Sequence, residues 1–188
     1  MTLTRPRLTV VIASTRSGRF GPTVGRWFAD VARKEATFDV DVIDLVDVEL
    51  PASLEPTPVT RRFTEQIGAS DAFVIVTPEY NHSFPGQLKI ALDSVRDEWH
   101  AKPVAFVSYG GLSGGLRAVE SLRLVAAELH MVSIRATVSF HAARDRFGAD
   151  GQPLTPEEPL AAAEGLLAQL AWWTDVLGRG RTRMAYPA

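Results

Sequence analysis

Residues 8–31, LTVVIASTRSGRFGPTVGRWFADV, contain an apolar run, a polar loop and a segment with helical spacing, in that order. The run from Leu8 to Ala13 is rich in β-branched residues, which suits a strand covered on both faces, as in parallel sheets. From Val24 to Val31, apolar residues recur at intervals of three and four, which is the spacing of an amphipathic helix. This unit therefore predicts a strand that passes into a helix through a polar loop.

The same alternation continues along the chain. Further strands are predicted at 38–43, 72–77, 103–108 and 132–140, the last of them bent or extended at its start. Helical spacing recurs after these strands. A polar surface loop is predicted at 143–159, and a last helix at 159–177. Alternating strands and helices are typical of an α/β fold with a doubly wound parallel sheet.

Composition limits the possible functions. The chain of 188 residues fits one domain, predicted at 1–178, followed by a basic tail at 179–188 that is expected to be flexible. Cysteine is absent, which excludes disulfides and thiolate nucleophiles. The net charge of −2 predicts no attraction to nucleic acid or to an anionic membrane. The four histidines show no ligand spacing, so no metal is expected.

The predicted location is the cytoplasm. No apolar run approaches the ~20 residues that a spanning helix needs. Residues 1–7 lead directly into the first strand and show no cleavage-site pattern of a secretory signal. The lack of cysteine is compatible with a reducing compartment.

The loop after the first strand, residues 14–22 (STRSGRFGP), has the chemistry of a phosphate site. In open α/β sheets, ligands bind beyond the carboxyl ends of the strands. A loop that enters a helix there offers free backbone N–H groups and the positive end of the helix dipole. Ser14, Thr15 and Ser17 add hydroxyls, and Arg16 adds a guanidinium suited to phosphate oxygens. The alternative is a hydrophilic turn in which Arg16 is merely exposed.

Two other phosphate motifs do not fit this loop. No Gly-Lys-Ser/Thr follows, so it is not a P-loop. Arg16 stands two residues before Gly18, where a dinucleotide-binding fingerprint requires a glycine. Asp44, at the end of the second strand, imitates the ribose-binding acid of such folds, but we interpret it as a turn or N-cap residue.

The loops after the third and fourth strands suit a flat ring. Residues 77–86 (TPEYNHSFPG) place an aromatic face at Tyr80 and a side-chain amide at Asn81, within a backbone stiffened by two prolines. Residues 108–115 (SYGGLSGG) have four glycines in six positions, which lets the backbone approach a planar ligand closely. Taken singly, the glycines suit a flexible turn and Tyr80 suits a partly buried core position.

The three loops are expected to meet. Strands one, three and four are adjacent around the switch point of this topology, so their carboxyl ends border one crevice. A phosphate site at one end and a planar-ring site at the other are the two features that FMN requires. The sequence therefore predicts an FMN site.

Three stretches resemble the NADPH-dependent FMN reductase family, which includes chromate, quinone and azo reductases of flavodoxin-like fold. They are 13–24 (ASTRSGRFGPTV), 77–93 (TPEYNHSFPGQLKIALD) and 102–120 (KPVAFVSYGGLSGGLRAVE), in family order. The resemblance implies a three-layer flavodoxin-like fold with a five-stranded parallel sheet of order 2-1-3-4-5 and helices on both faces. Phe84 departs from the pattern, since many relatives have tyrosine there.

The resemblance also assigns site residues. For the FMN phosphate it implies residues of the first loop and of the helix start: Ser14, Thr15, Arg16, Ser17, Gly21 and Thr23. For the isoalloxazine it implies residues of the third and fourth loops: Pro78, Glu79, Tyr80, Asn81, Ser108, Tyr109, Gly110 and Gly111. Such proteins usually form homodimers or homotetramers with the flavin near a subunit boundary.

The implied activity is a ping-pong oxidoreductase reaction. NADPH or NADH, as co-substrate, reduces bound FMN, which then reduces a small acceptor such as a quinone, an azo compound, a flavin or a metal oxyanion. No catalytic side chain is required, because the cofactor carries the chemistry. Glu79 is interpreted as a loop-fixing or subunit-contact residue. Two alternatives stay open: a flavodoxin-type electron carrier, which Arg16 and the weak net charge disfavour, and a flavin-free regulatory module.

Overall fold

In the computed structural model, which describes residues 5–187, five strands form one sheet in the order 2-1-3-4-5. The strands are β1 (Arg7–Ile12), β2 (Asp39–Asp44), β3 (Ala72–Pro78), β4 (Pro103–Tyr109) and β5 (Val132–Phe140). All four neighbouring pairs are parallel. The predicted fold class, strand order and strand positions are confirmed, each strand to within one residue at either end.

Five helices cover the two faces of this sheet. They are α1 (Gly21–Glu35), α2 (Pro58–Gly68), α3 (Gly86–Asp93), α4 (Leu116–Glu128) and α5 (Glu157–Arg183). Helices α1 and α5 share one buried apolar cluster, and α2, α3 and α4 share a second. Side chains of β1 alternate between them, with Val10 in the first and Val11 in the second. This alternation follows from the period of two along a strand and produces the three layers.

The predicted irregularity of the fifth strand is a bulge. Between the paired positions Val104 and Phe106, β4 advances by two residues, whereas β5 advances by four, from Ser133 to Thr137. Extra residues in one strand of a pair bend that strand and increase its twist. The bulge lies away from the carboxyl end of β5, which pairs regularly with the end of β4.

The C-terminal part differs from the expectation. Helix α5 does not end at residue 177 but continues to Arg183, so residues 179–183 are helical, while the flexibility of the tail stays a prediction. A contact holds this part: Arg181 donates from Nη1 to the Ala101 carbonyl at 2.6 Å. Its Nη2 lies 3.6 Å from Asp71. Gly178 and Gly180 have low helix propensity, and this tertiary anchor outweighs it.

The predicted domain and tail also include residues 1–4 and 188, which lie outside the described residues. Within residues 5–187, no helix combines the length and the apolar character needed to cross a membrane.

Candidate functional site

The loops that follow β1, β3 and β4 border one crevice of about 410 Å³ at the carboxyl edge of the sheet. Its walls are formed by Arg16, Phe20, Pro78, Glu79, Tyr80, Tyr109, Gly110, Gly111, Ala142, Ala143, Arg144 and Asp145. The three loops therefore meet at one place, while the roles assigned to their residues stay predictions.

The first loop presents an unpaired row of backbone donors. Among the residues described, no protein acceptor pairs with the backbone N–H groups of residues 14–20. Gly18 has a φ of +65°, a conformation that favours glycine and turns the chain within this row. Helix α1 begins directly after it, and no side chain among residues 5–187 caps its N-terminus. Free N–H groups at a helix start are the donors that phosphate oxygens bind.

Two buried hydroxyls converge behind this loop. Ser14 Oγ and Tyr109 Oη are both buried and lie near each other, and neither makes a hydrogen bond of normal geometry with the residues described. A Cβ at Gly21 would lie 2.2 Å from Ser14 Oγ and 2.9 Å from Tyr109 Oη, so glycine is required there. Burial raises the pKa of Tyr109 to about 12, which keeps its hydroxyl protonated as a donor. Unpaired buried hydroxyls are costly, and an anionic ligand oxygen would satisfy them.

A partly buried ion pair braces the same loop. Arg19 donates to both carboxylate oxygens of Asp44, at 2.5 and 2.8 Å, and also to the Ser14 carbonyl at 2.8 Å. Asp44 additionally accepts from the Val46 N–H at 3.3 Å and caps the short 3₁₀ turn Leu45–Asp47. The N-cap interpretation of Asp44 is therefore confirmed. Its ion pair with Arg19 escaped the sequence analysis because the two residues are 25 positions apart.

The third loop ends in a tight turn. The backbone N–H and C=O groups of Tyr80 and Ser83 pair reciprocally, at 2.9 and 3.0 Å. Between them, Asn81 and His82 have φ values of +49° and +73°. Two consecutive positive φ values are typical of a type I′ turn, in which asparagine is well tolerated. The turn places Asn81 at an exposed tip, outside the crevice wall, and leaves the Tyr80 ring inside it.

Glu79 ties the third loop to the start of α4. Its mostly buried carboxylate accepts hydrogen bonds from Ser113 Oγ, from the Arg117 N–H at 3.2 Å and from Arg117 Nη2 at 2.6 Å. Burial alone would raise the pKa of Glu79, but the Ser113 and Arg117 donors outweigh it and hold that pKa below its ordinary value. Arg117 also contacts His82 Nδ1 at 3.2 Å. These contacts support the loop-fixing interpretation of Glu79.

The fourth loop depends on two of its glycines for close packing. Gly114 and Gly115 have φ values of +62° and +88°. A Cβ at Gly114 would lie 2.4 Å from Ser139 Oγ, and one at Gly115 would lie 2.7 Å from Ser108 Cβ. Ser108 Oγ donates to the Gly114 carbonyl at 2.9 Å. Ser108 therefore supports the loop from the sheet side and does not line the crevice.

A fourth segment, residues 142–145 after β5, completes the crevice. The N–H groups of Ala142 and Ala143 donate to the carbonyls of Gly111 and Gly110, at 3.0 and 3.1 Å. Arg144 donates to the Gly18 carbonyl at 2.7 Å and thereby joins this segment to the first loop. The sequence analysis treated this stretch as a surface loop. The sequence did offer a signal for this segment. It follows the predicted fifth strand, and the carboxyl ends of all parallel strands lie at the edge of the sheet where ligands bind.

The predicted residues thus divide into two groups. Those in the crevice wall are Arg16, Pro78, Glu79, Tyr80, Tyr109, Gly110 and Gly111. Those behind or beside it are Ser14, Thr15, Ser17, Gly21, Thr23, Asn81 and Ser108. Within the part of the chain that is described, no three histidine, aspartate or glutamate side chains are grouped as metal ligands would be.

Comparison with known proteins gives consistent results. The family described as NADPH-dependent FMN reductase matches residues 6–145. An NAD(P)H-dependent FMN reductase of Schizosaccharomyces pombe is 38% identical over 137 residues, covering 67% of this chain and 68% of that protein. A 2-hydroxy-1,4-benzoquinone reductase of a Burkholderia species is 32% identical over 133 residues, covering 69% and 70%.

The fold has solved counterparts. The flavoenzyme FerB of Paracoccus denitrificans, an NAD(P)H:(acceptor) oxidoreductase, superposes with a TM-score of 0.73. The superposition covers 90% of this chain and 97% of FerB at 22% sequence identity. At that identity the likeness supports the shared fold, while function follows from the sequence relatives.

Proposed function

This chain belongs to the NADPH-dependent FMN reductase family, and we propose that the crevice at the carboxyl edge of its sheet is where it holds FMN. The chain is an NAD(P)H-dependent FMN oxidoreductase. The observation that carries the proposed location is the row of unpaired N–H groups that begins at Ser14, beside a crevice with an aromatic wall.

The phosphate of FMN belongs at the first loop. The free N–H groups of residues 14–20 supply several neutral donors, and Arg16 and Arg144 supply positive charge beside them. The orphaned hydroxyls of Ser14 and Tyr109 add two donors from below. Bonds from charged donors are stronger than those from neutral ones, so Arg16 is expected to contribute most to phosphate binding.

The ring of FMN belongs between the third and fourth loops. Pro78 and Tyr80 form one wall, and Gly110 and Gly111 form another without side chains that would block a flat ligand. No described acceptor pairs with the Gly111 N–H, so it is free to donate to a ring oxygen. A backbone donor there would hold negative charge that gathers on the reduced ring.

When bound, FMN supplies the redox chemistry: two electrons and a proton come from NAD(P)H, and an acceptor takes up two electrons with two protons, one of them from solvent. The protein positions the reactants. Glu79, held by Ser113 and Arg117, keeps the third loop in place against the fourth. The open side of the crevice admits nucleotide and acceptor in turn, which supports a ping-pong sequence.

We propose a quinone as the acceptor class. The benzoquinone reductase of the Burkholderia species acts on such a compound by name, and this chain aligns with 70% of it. A quinone is flat and apolar, which suits a crevice bordered by Tyr80, Tyr109 and Phe20.

We also propose a cytoplasmic homodimer or homotetramer. Leu112, at the rim of the fourth loop, is 93% exposed, and Leu124 on α4 is 77% exposed. A partner subunit that covered these leucines would remove exposed apolar surface, as association surfaces do. Light scattering coupled to size exclusion would give the mass, and a monomer at micromolar concentration would contradict the proposal.

An anaerobic titration tests the proposed function. FMN-loaded protein is mixed with NADPH or NADH, and the loss of flavin absorbance is followed with time; a quinone is then added. We expect bleaching within the turnover time by at least one nucleotide and recovery of colour on adding the quinone. Protein that binds no FMN, or flavin that only a separate protein reductase can bleach, would contradict the proposal.

A further inference from the structure

A second cavity of about 280 Å³ lies beside the crevice, between β5 and the start of α5. Its polar wall residues are Thr137, Ser139, His141, Arg146, Thr155 and Glu158. Phe140 and His141 line this cavity, while residues 142–145, which follow directly, line the crevice. One short segment of backbone therefore separates the two spaces.

Arg146 is the cation of this second cavity. Its side chain makes no hydrogen bond or ion pair within residues 5–187, although the neighbouring Arg144 is engaged by Gly18. The guanidinium is exposed on the cavity wall. A free guanidinium with two parallel donors suits the oxygens of a phosphate dianion.

The other polar groups suit a ribose. His141 Nδ1 lies 3.0 Å from the Leu112 carbonyl and donates to it, which leaves Nε2 for a ligand. The Glu158 carboxylate can accept hydrogen bonds from sugar hydroxyls but repels a phosphate. A phosphate in this cavity therefore belongs beside Arg146, with hydroxyl groups toward His141 and Glu158.

We propose that this cavity binds the adenosine 2′-phosphate end of NADPH, with Arg146 on the 2′-phosphate. The inference rests on the proposed function, in which FMN fills the crevice and the nicotinamide must lie over its ring. The remainder of the dinucleotide then extends beyond the crevice, and the adjoining cavity provides polar contacts for it. NADH lacks the 2′-phosphate, so Arg146 makes the chain prefer NADPH.

The test compares FMN-loaded wild type with Arg146→Ala and Arg146→Glu. Loss of one charged contact should raise the KM for NADPH about tenfold or more. The KM for NADH should change less than about twofold, since that nucleotide lacks the 2′-phosphate that Arg146 would bind. The matched control is Arg135→Ala, an exposed arginine of β5 outside the cavity wall, which should leave both KM values unchanged.

Calorimetric titration with nucleotide fragments tests the second cavity separately from the proposed FMN site. We expect 2′,5′-ADP to bind wild type more tightly than 5′-AMP, and Arg146→Ala to remove the difference. Equal binding of the two fragments by wild type, or equal KM changes for NADPH and NADH in the variant, would overturn the inference. If the proposed function is wrong, the protein will not bind FMN or NAD(P)H will not bleach it. Titration of the two nucleotide fragments into FMN-free protein would still test the second cavity in that case.

Discussion

The guanidinium carbon of Arg16 lies 4.9 Å from the centre of the Tyr80 ring, so the first and third loops touch across the crevice. A guanidinium within about 6 Å of an aromatic face is stabilised by the ring quadrupole. This contact holds Arg16 at the wall beside the row of free N–H groups. Arg16 therefore lies where the loop proposed for the phosphate meets the aromatic wall of the crevice.

Replacing Arg16 should weaken FMN binding. Arg16→Ala is expected to lose about 1–3 kcal/mol of binding free energy, the scale of a hydrogen bond to a charged group. Arg16→Lys keeps the positive charge but loses the planar guanidinium. Its FMN affinity should therefore lie between those of wild type and Arg16→Ala. Titration of FMN into FMN-free protein, followed by quenching of flavin fluorescence, measures both changes.

The matched control is Arg26→Ala, because Arg26 is an exposed arginine of α1 that lies outside the crevice wall. Its FMN affinity should match that of wild type. If Arg16→Ala also bound FMN as wild type does, Arg16 would have no phosphate role.

Ser14→Ala should separate stability from binding. Within residues 5–187 the buried Ser14 hydroxyl makes no hydrogen bond of normal geometry, so its removal should leave the stability of FMN-free protein unchanged or raise it by up to about 1 kcal/mol. FMN affinity should nevertheless fall, since the ligand loses one donor. Urea unfolding of the FMN-free protein and FMN titration give the two quantities. A variant that is less stable when FMN-free, yet binds FMN normally, would contradict this account.

The sheet could be predicted because each strand is locally encoded. The runs at Ala72–Pro78 and Pro103–Tyr109 are fully buried, and strands buried on both faces are nearly continuous apolar runs. Gly110 and Tyr80 could also be placed at the crevice from sequence. They follow such runs within two residues, and the carboxyl ends of neighbouring parallel strands lie at one edge.

The rest of the site depends on contacts that are distant in sequence. Arg144 reaches Gly18 across 126 positions, and Arg19 pairs with Asp44 across 25. Neither arginine differs locally from an exposed one, so only tertiary packing identifies its partner. The helical state of residues 179–183 likewise depends on the contact of Arg181 with Ala101.

Gly21→Ala should disturb the site although alanine favours helices. The added Cβ would lie 2.2 Å from Ser14 Oγ, which requires a shift of the first loop. Forcing a methyl group into packed space typically costs about 1–3 kcal/mol. Thermal unfolding and FMN titration should both show a loss, and adding Ser14→Ala should recover part of the stability by removing the closest contact.

Gly86→Ala is the matched control for that substitution. Gly86 also begins a helix, α3, and a Cβ there would have no neighbouring atom of the described part of the chain within 4 Å. It should be neutral or slightly stabilising, as expected from helix propensity alone. Equal effects of the two substitutions would show that the contact at Gly21 is unimportant.

The Glu79–Arg117 contact should make stability depend on pH in acid. Because the folded-state pKa of Glu79 lies below its ordinary value of 4.5, the ionised carboxylate stabilises the fold above about pH 4.5. That contribution is lost as the pH falls through the folded-state pKa. Glu79→Gln should therefore be less stable than wild type at pH 7, by about 1–3 kcal/mol, with the difference shrinking in acid.

Urea unfolding of both proteins between pH 7 and pH 3 measures this difference. Glu120→Gln is the control, since Glu120 on the same helix as Arg117 pairs with Arg123 but is 75% exposed. Exposed pairs contribute little, so this variant should follow the wild-type curve throughout. A Glu79→Gln deficit that stays constant down to pH 3 would mean that side-chain shape, and not the carboxylate charge, holds the third loop against α4.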